Sequence, residues 1–457
     1  MNSLNAQVQH YCDIYESQSH TNALDFSSSA HLKTWRAQAI ADFAIKGFPT
    51  TGQEEWKYTS VNRIAKTNFL PFPLIDNCLT LLEQQENTLQ ASELFFSNEL
   101  RLVFVNGFFD PSLSELSTLP QGLHVENFAH ALTHHPEIMH NFIAENSEET
   151  TTSFHTDSFQ SLNAALFTNG VVIIIDKATI IHQPIHLVFI TNSAIHNNGM
   201  THLRNLVILN ESSQATLIES HIGIGNNPYF TTGVTEIRAK ENAHLIHGTF
   251  QQESLQGSHF NYINVQQEKN SHVSTYQFDL GGAFIRNKVN VALKGEGSEC
   301  SVNGLYLTDG HQHVDNCTAI EHCASHTTSH EHYRGIIDGR SRAAFSGIVR
   351  VKPNSQKISA NQTNRNLLLS SQAEIDTRPQ LEIFADDIKC AHGATVGQLN
   401  TDALFYLQSR GISPSEAKRL MMHGFINDFI HEIESPILRN RLDILIQKHL
   451  ESVLNDE

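Results

Sequence analysis

Cysteine is scarce in this sequence: six residues, Cys12, Cys78, Cys300, Cys317, Cys323 and Cys390, are scattered over 457 positions without framework spacing. That excludes a disulfide-stapled scaffold and suits reduced thiols in a reducing compartment. Long apolar runs are missing too. The longest, Gly170 to Ile175, falls far short of the roughly 20 residues a membrane-spanning helix needs, so no membrane partner is expected. Basic charge is in deficit, with 30 Lys and Arg against 48 Asp and Glu and a formal charge of -18. Such a surface repels phosphate backbones, and nucleic acid is not an expected partner. The residues after Met1 lack a basic start followed by an apolar stretch and do not read as a secretory signal, so the expected location is cytoplasmic. Common chemical templates are also absent: no GxxxxGKS/T loop, no GxSxG elbow and no HExxH helix. A P-loop nucleotide site is excluded, and any energy must come from a partner.

What is present is a chain of 40% hydrophobic residues, long enough for two or three domains and a large core. Residues 1–150 read as mostly helical, with Leu32, Trp35, Ile40, Phe43 and Ile45 near a helical period. Pro71, Pro73 and a polar run around Asn87 interrupt them, and Leu102 to Phe109 reads as a strand and turn. Across 151–399 the texture changes to short β-rich runs, such as 171–176, 186–191 and 205–210, separated by polar turns. A turn-then-strand motif recurs at Ala215, Ala243, Ser271 and Glu299 with a constant offset of 28 residues. A fixed period of this kind is what stacked coils of a β-solenoid leave in a sequence; a β-sandwich with accidental spacing is the bland alternative. The cue returns near Ala343 and Ala373, and the misfitting gap from 299 to 343, which holds a His-rich segment, reads as an insertion or a change of coil length.

Residues 400–457 are helical again. Thr401 is placed to cap a first helix that Gly411 ends, and Ser413-Pro414-Ser415-Glu416 reads as a capping box with proline at the first helical position. Ala417, Leu420, Met421, Phe425, Phe429 and Ile433 form one apolar face, and Leu438, Leu442, Leu445 and Leu450 another after Ser435-Pro436. Two or three antiparallel helices are expected to pack here.

The sharpest chemical cluster is Cys390 with His392 in IFADDIKCAHGAT. Two residues apart on a strand, thiol and imidazole share a face and can reach one soft metal or one sulfur species, with Gly393 permitting close backbone approach. A buried small Cys and a hydrogen-bonded His are the plain structural alternative. Asp386 and Asp387, adjacent on a strand, face opposite sides, which argues against a shared acid–base role. The set His311, His313, His322, Cys323, His326, His330 and His332 has no fixed ligand spacing, and a cross-strand histidine ladder is the favoured reading over a metal site. Glu54 to Thr59 reads equally as an interaction surface or a helix end.

The block 346–425, containing IKCAHGATVGQL, resembles the signature region of the SufB/SufD family of iron–sulfur cluster assembly proteins. EEWKYTS at 54–60, FVNGFFDPSLSEL at 104–116 and NGLYLTDGHQHVDNCTAIEH at 303–322 resemble further blocks of that family. SufB-type chains carry a cysteine at the place of Leu407 and read HEATTSKI against HGATVGQL here, so the resemblance is to the SufD type. It implies a mainly β fold, a right-handed parallel β-helix core (151–399) between an N-terminal helical domain (1–150) and a C-terminal helical domain (400–457). It implies a non-catalytic scaffold in a SufBCD complex. That scaffold pairs with the paralogue SufB at the β-helix ends and docks the ABC-type ATPase SufC on its C-terminal helices, here Ser413, Pro414, Glu416, Leu420, Met421 and Phe425. It further implies that His392 first, and Cys390 second, face a SufB cysteine where a nascent cluster forms, with His392 as an iron ligand shared with that cysteine. No cofactor is then expected to bind the isolated chain tightly; the iron–sulfur cluster is transient and a sulfur donor serves the complex, while the sequence leaves open whether the chain alone forms a homodimer. The alternatives are a His-rich metal carrier and, less favoured, a β-helix enzyme acting on polysaccharides, which calls for a secretion signal and paired acids on successive coils.

Overall fold

A computed structural model describes residues 3–21, 29–74, 96, 98–116, 119–147 and 156–455. Cys78, the polar run around Asn87, the division at 150/151 and the side chain of Leu450 lie outside the described residues. From Val171 onward the chain winds through eight coils, each giving one strand to each of two sheets, so the fold is a parallel β-solenoid flanked by helices at both termini. The strands are rich in Val, Ile, Thr and Phe, and alternate residues point into the lumen or outward. Lumen-side Leu217, Ile237, Leu245, Ile263, Val273, Val289 and Val302 stack into one apolar core. The outer faces are covered as well, which is why the strands read as near-continuous apolar runs. One outer face, with Phe230, Val234, Phe260 and Phe284, packs against the N-terminal helices Ala30–Lys46 and Ser158–Leu166. The other, with Phe250, Phe278, Leu305 and Ile336, packs against the C-terminal helices Pro414–Glu432 and Pro436–Asn455.

The repeated motif is the corner of each coil. Ser212, Asn242 and Asn270 adopt positive φ (59°, 57° and 53°) just before their strands, and polar residues that tolerate this conformation mark the period. The period itself is not constant. His244, His272 and Glu299 are register partners, whereas Ala215 pairs with Leu245 rather than Ala243, so coil length varies by a few residues. Nor is there an insertion between Glu299 and Ala343. The two residues belong to different sheets, and the strands between them, His313–His322 and Thr328–Ile337, continue the coils regularly. The misfit arose because each coil has two corners, and the motif shifted from one to the other.

The two ends of the solenoid differ. At the N-terminal end, strand Leu100–Val105 joins Ile185–Asn192 in parallel and is closed off by antiparallel Phe108–Glu115, while antiparallel Leu123–Asn127 covers Val171–Ile175. At the C-terminal end nothing among the described residues pairs with the outer edges of Glu374–Ile383 and Ile388–Gln398.

The block at 54–60 resolves as a clamp. Trp56 is buried, the Arg286 guanidinium stacks 3.7 Å over its ring, and Arg286 and Thr59 converge on Asp315. In the C-terminal helices two details depart from expectation. The first helix is capped by Asn400, whose side chain accepts from the amides of Asp402 and Ala403, rather than by Thr401. Ser413 accepts from the Glu416 amide, but the Glu416 carboxylate turns to Arg419, so only half of the capping box forms. The buried face of Pro414–Glu432 is Ala417, Met422, Ile426, Phe429 and Ile430. Leu420 is exposed and Met421 and Phe425 are half-buried, because the solenoid contacts a stripe rotated from the expected one.

Candidate functional site at the open end of the solenoid

Cys390 and His392 lie on the last strand, Ile388–Gln398, and each terminates a ladder of register partners running down the lumen. Below Cys390 stand Ala360, Ser329, Cys300, Val273, Leu245 and Ala215, small or aliphatic throughout. Below His392 stand Gln362, Glu331, Val302, Thr275, His247 and Leu217, a ladder that becomes polar just beneath the end. Side-chain parity puts both residues on the lumen side, as the two-residue spacing predicts. Cys390 is half-buried against the apolar core, and burial pushes its thiol up from the usual range. His392 is exposed, and nothing approaches within 4 Å of where a Gly393 side chain would stand. Asp386 and Asp387 sit in the exposed corner before the strand and take no part.

The end coil is unusual in its surface. Residues 391–398 are exposed throughout, as are Phe384 (60%) and Val396 (48%). An eleven-residue edge strand with unpaired amides and carbonyls, flanked by apolar side chains, is a template for another strand. Beneath it the lumen is polar. Glu331 accepts from Gln362 Nε2 at 2.8 Å and from Thr318 Oγ1 at 2.5 Å, while Asn364 donates to Tyr306 and accepts from Thr377. Burial pushes the Glu331 carboxyl up to about 7, although those two hydrogen bonds pull it down.

The second predicted surface is on the C-terminal helices. Ser413, Pro414 and Leu420 are exposed, Glu416, Met421 and Phe425 are partly covered, and Arg334 anchors Phe425 by stacking 5.5 Å from its ring. Sequence reasoning missed Phe405 (72% exposed) and Tyr406 (57%), which extend this apolar surface onto the helix Thr401–Ser409. The signal available was an aromatic pair in a short helix that leaves no residue buried.

The histidines between 311 and 332 do not converge. His311 and His326 occupy corners, His322 is enclosed and bonded to Thr327 and Ser329, His313 meets Thr59, and His332 meets Glu432 at 2.6 Å. Neither of the two groups of close potential metal ligands among the described residues draws on them.

Comparison with known proteins accords with this architecture. The family described as SUF system FeS cluster assembly, SufBD core domain, matches residues 189–425, and the SufBD protein N-terminal region matches residues 5–187. An iron–sulfur cluster assembly SufBD family protein of Synechocystis is 30% identical over 86% of this chain and 86% of its own length. The iron–sulfur cluster assembly protein SufD of Escherichia coli is 28% identical over 89% of this chain and 90% of its own, and that of Bacillus subtilis 24% over 92% and 94%. With both halves matched and the coils, end strands and terminal helices in place, the chain belongs to the SufBD family.

Proposed function

We propose that the chain is a SufD-type scaffold subunit for iron–sulfur cluster assembly, acting in a complex rather than as an enzyme by itself. One observation carries the reading: the solenoid is closed by antiparallel strands at one end and left open at the other, where His392 and Cys390 are presented. A paralogue of SufB type continues the sheets across the open edges. That contact encloses His392 beside a cysteine of the paralogue, and a neutral imidazole there ligates iron or orients the thiolate of the forming cluster. Cys390, with its thiol pushed up by burial, is the secondary contributor. The cluster is cargo, built and passed on, and sulfur arrives from a donor acting on the complex.

The surface of Phe405, Tyr406, Leu420, Met421 and Phe425, with Ser413, Pro414 and Glu416 at its helix start, receives an ATPase of SufC type. In the absence of the paralogue the open edge pairs with a second copy of the chain. No described helix is long and apolar enough to cross a membrane, and we assign the complex to the cytoplasm. The test is co-expression of the tagged chain with SufB- and SufC-type partners, followed by size-exclusion chromatography and cluster reconstitution. A ternary complex that assembles clusters, and that loses this ability with His392→Ala while staying intact, is expected. A chain that elutes without either partner would refute the reading.

A further inference from the structure

Far from the open end, the lumen of the early coils holds ionisable groups for which the assembly reading has no use. Glu219 and His221 come from strand Gln214–Ile224, His247 from His244–Gln252, and Glu253 follows directly; Tyr229 and Thr231 come from Tyr229–Ala239, and His259 from Gly257–Gln267. All are buried. The His221 and His259 rings are 4.4 Å apart between centroids. Glu253 Oε1 lies 3.5 Å from His259 Nδ1, and Tyr229 donates to Glu253 Oε2 at 2.6 Å. His221 Nε2 and His259 Nε2 have no hydrogen-bond partner despite their burial. Orphaned ring nitrogens in a closed interior are costly unless something occupies the space between them.

The space exists. A cavity of ≈ 10 Å³, about the room one water or one ion needs, is lined by His221, Glu253, His259 and Thr231. Gly233 lines it, and a Cβ there would stand 3.5 Å from His221 Cε1. One ligand atom each from His221, Glu253 and His259 lie within 4.8 Å of one another. A shift of about 1 Å brings these to the separations that metal–ligand bonds of about 2.0–2.2 Å impose.

We propose that His221, His259 and Glu253 bind one divalent first-row transition metal ion, zinc or ferrous iron, as a structural staple inside the solenoid. Two imidazoles and one carboxylate are donors of the hardness these ions take. The charges also balance: one divalent ion offsets the two buried carboxylates Glu219 and Glu253. Glu219 lies beside the group, 3.7 Å from His221 Nε2 and 3.1 Å from His247 Nε2. Tyr229 fixes Glu253 Oε2, while Oε1 takes a longer bond, 3.3 Å, from Thr231, whose hydroxyl also meets His259 Nδ1 at 2.7 Å. The inference is independent of the assembly role.

The enclosed site loads as the chain folds, so untagged full-length protein is refolded with zinc, or with ferrous iron under anaerobic conditions, then stripped with EDTA and desalted. The half-exposed trio His244, His272 and Glu434 is open to the chelator and should release any ion it holds. Wild type and His392→Ala should each retain about one ion per chain by elemental analysis, and His221→Gln/His259→Gln less than about a tenth of that. Refolding with cobalt gives a second readout that needs no variant: a visible d–d absorption of low-coordinate nitrogen and oxygen ligation is expected. Wild type that keeps no ion, or a folded double variant that keeps it, overturns the proposal.

Discussion

Gln362 and His392 are register partners on the last two strands of one sheet, the first fully enclosed and the second open to solvent. The boundary between protein interior and exposed surface therefore falls between two adjacent residues of one ladder. Because His392 carries none of the packing, His392→Ala should leave the thermal midpoint within error of wild type while cluster assembly in cells drops at least several-fold. Cys390→Ala, which removes a thiol half-buried against the core, should show a small loss of stability and a smaller loss of assembly. Unimpaired assembly by His392→Ala would remove that residue from the site.

The open edge makes a separate prediction. Ala394 and Val396 are exposed on the same strand and beyond His392. Lysine at either position places a charge where a partner strand would pair, the device by which natural edge strands avoid association. Ala394→Lys/Val396→Lys should abolish co-elution with the SufB-type partner and any homodimer, with circular dichroism unchanged. Co-elution at wild-type affinity would show that the contact lies elsewhere.

Much of this was legible in the sequence, and what was not has physical reasons. Asn242 and Asn270 announce their corners because few residue types accept positive φ, so the solenoid could be read from turns alone. The strand pairing could not: offsets of one or two residues between coils are invisible to a motif count, which is why Ala215 was aligned with Ala243 instead of Leu245. Cys390 and His392 stood out by parity on a strand, whereas their exposure depends on where the last coil ends. His221, Glu253 and His259 carried no local signal, since their strands are separate in sequence and only the coil closure brings them together. Of the face expected along Pro414–Glu432, Ala417, Phe429 and Ile433 are buried while Leu420 is exposed, because periodicity shows that an apolar stripe exists without showing which of its residues meet the sheet.

Stability should depend on pH through the polar part of the lumen. Burial raises Glu331 from 4.5 to about 7 and Asp279 from 3.8 to about 6. Between the unfolded and folded values the native state keeps a proton that the unfolded chain has released, so these groups favour folding fully below about pH 4 and lose that contribution as pH rises through 6 and 7. Glu331→Gln removes the largest part: its amide serves Thr318 and Gln362 without titrating, and Gln362 Oε1, which has no partner, can accept from it after a flip. The thermal midpoint of wild type should fall between pH 5 and pH 8, and that of Glu331→Gln should fall less. Equal slopes for the two proteins would show that Glu331 does not hold its proton.

Removing the C-terminal helices is the obvious test of ATPase docking, and the fold makes it a poor one. Ile426, Phe429, Leu438 and Leu442 cover Phe250, Phe278, Leu305 and Ile336 on the solenoid, so truncation from Ser413 strips a buried apolar face and loss of binding would report unfolding. Point changes at the exposed residues separate the two effects. Leu420→Glu and Phe405→Ala/Tyr406→Ala alter side chains that the chain itself leaves in solvent, so each should fold with wild-type stability. Apolar and aromatic anchors at the centre of an interface typically contribute about 2 kcal/mol or more, so the affinity for the SufC-type ATPase should fall by a factor of roughly 30. Pairing with the SufB-type partner, some distance along the chain on the strand Ile388–Gln398, should be unchanged in the same samples. Isothermal titration against the isolated ATPase measures the first and size-exclusion chromatography the second. Full ATPase affinity in both variants would assign docking to another face.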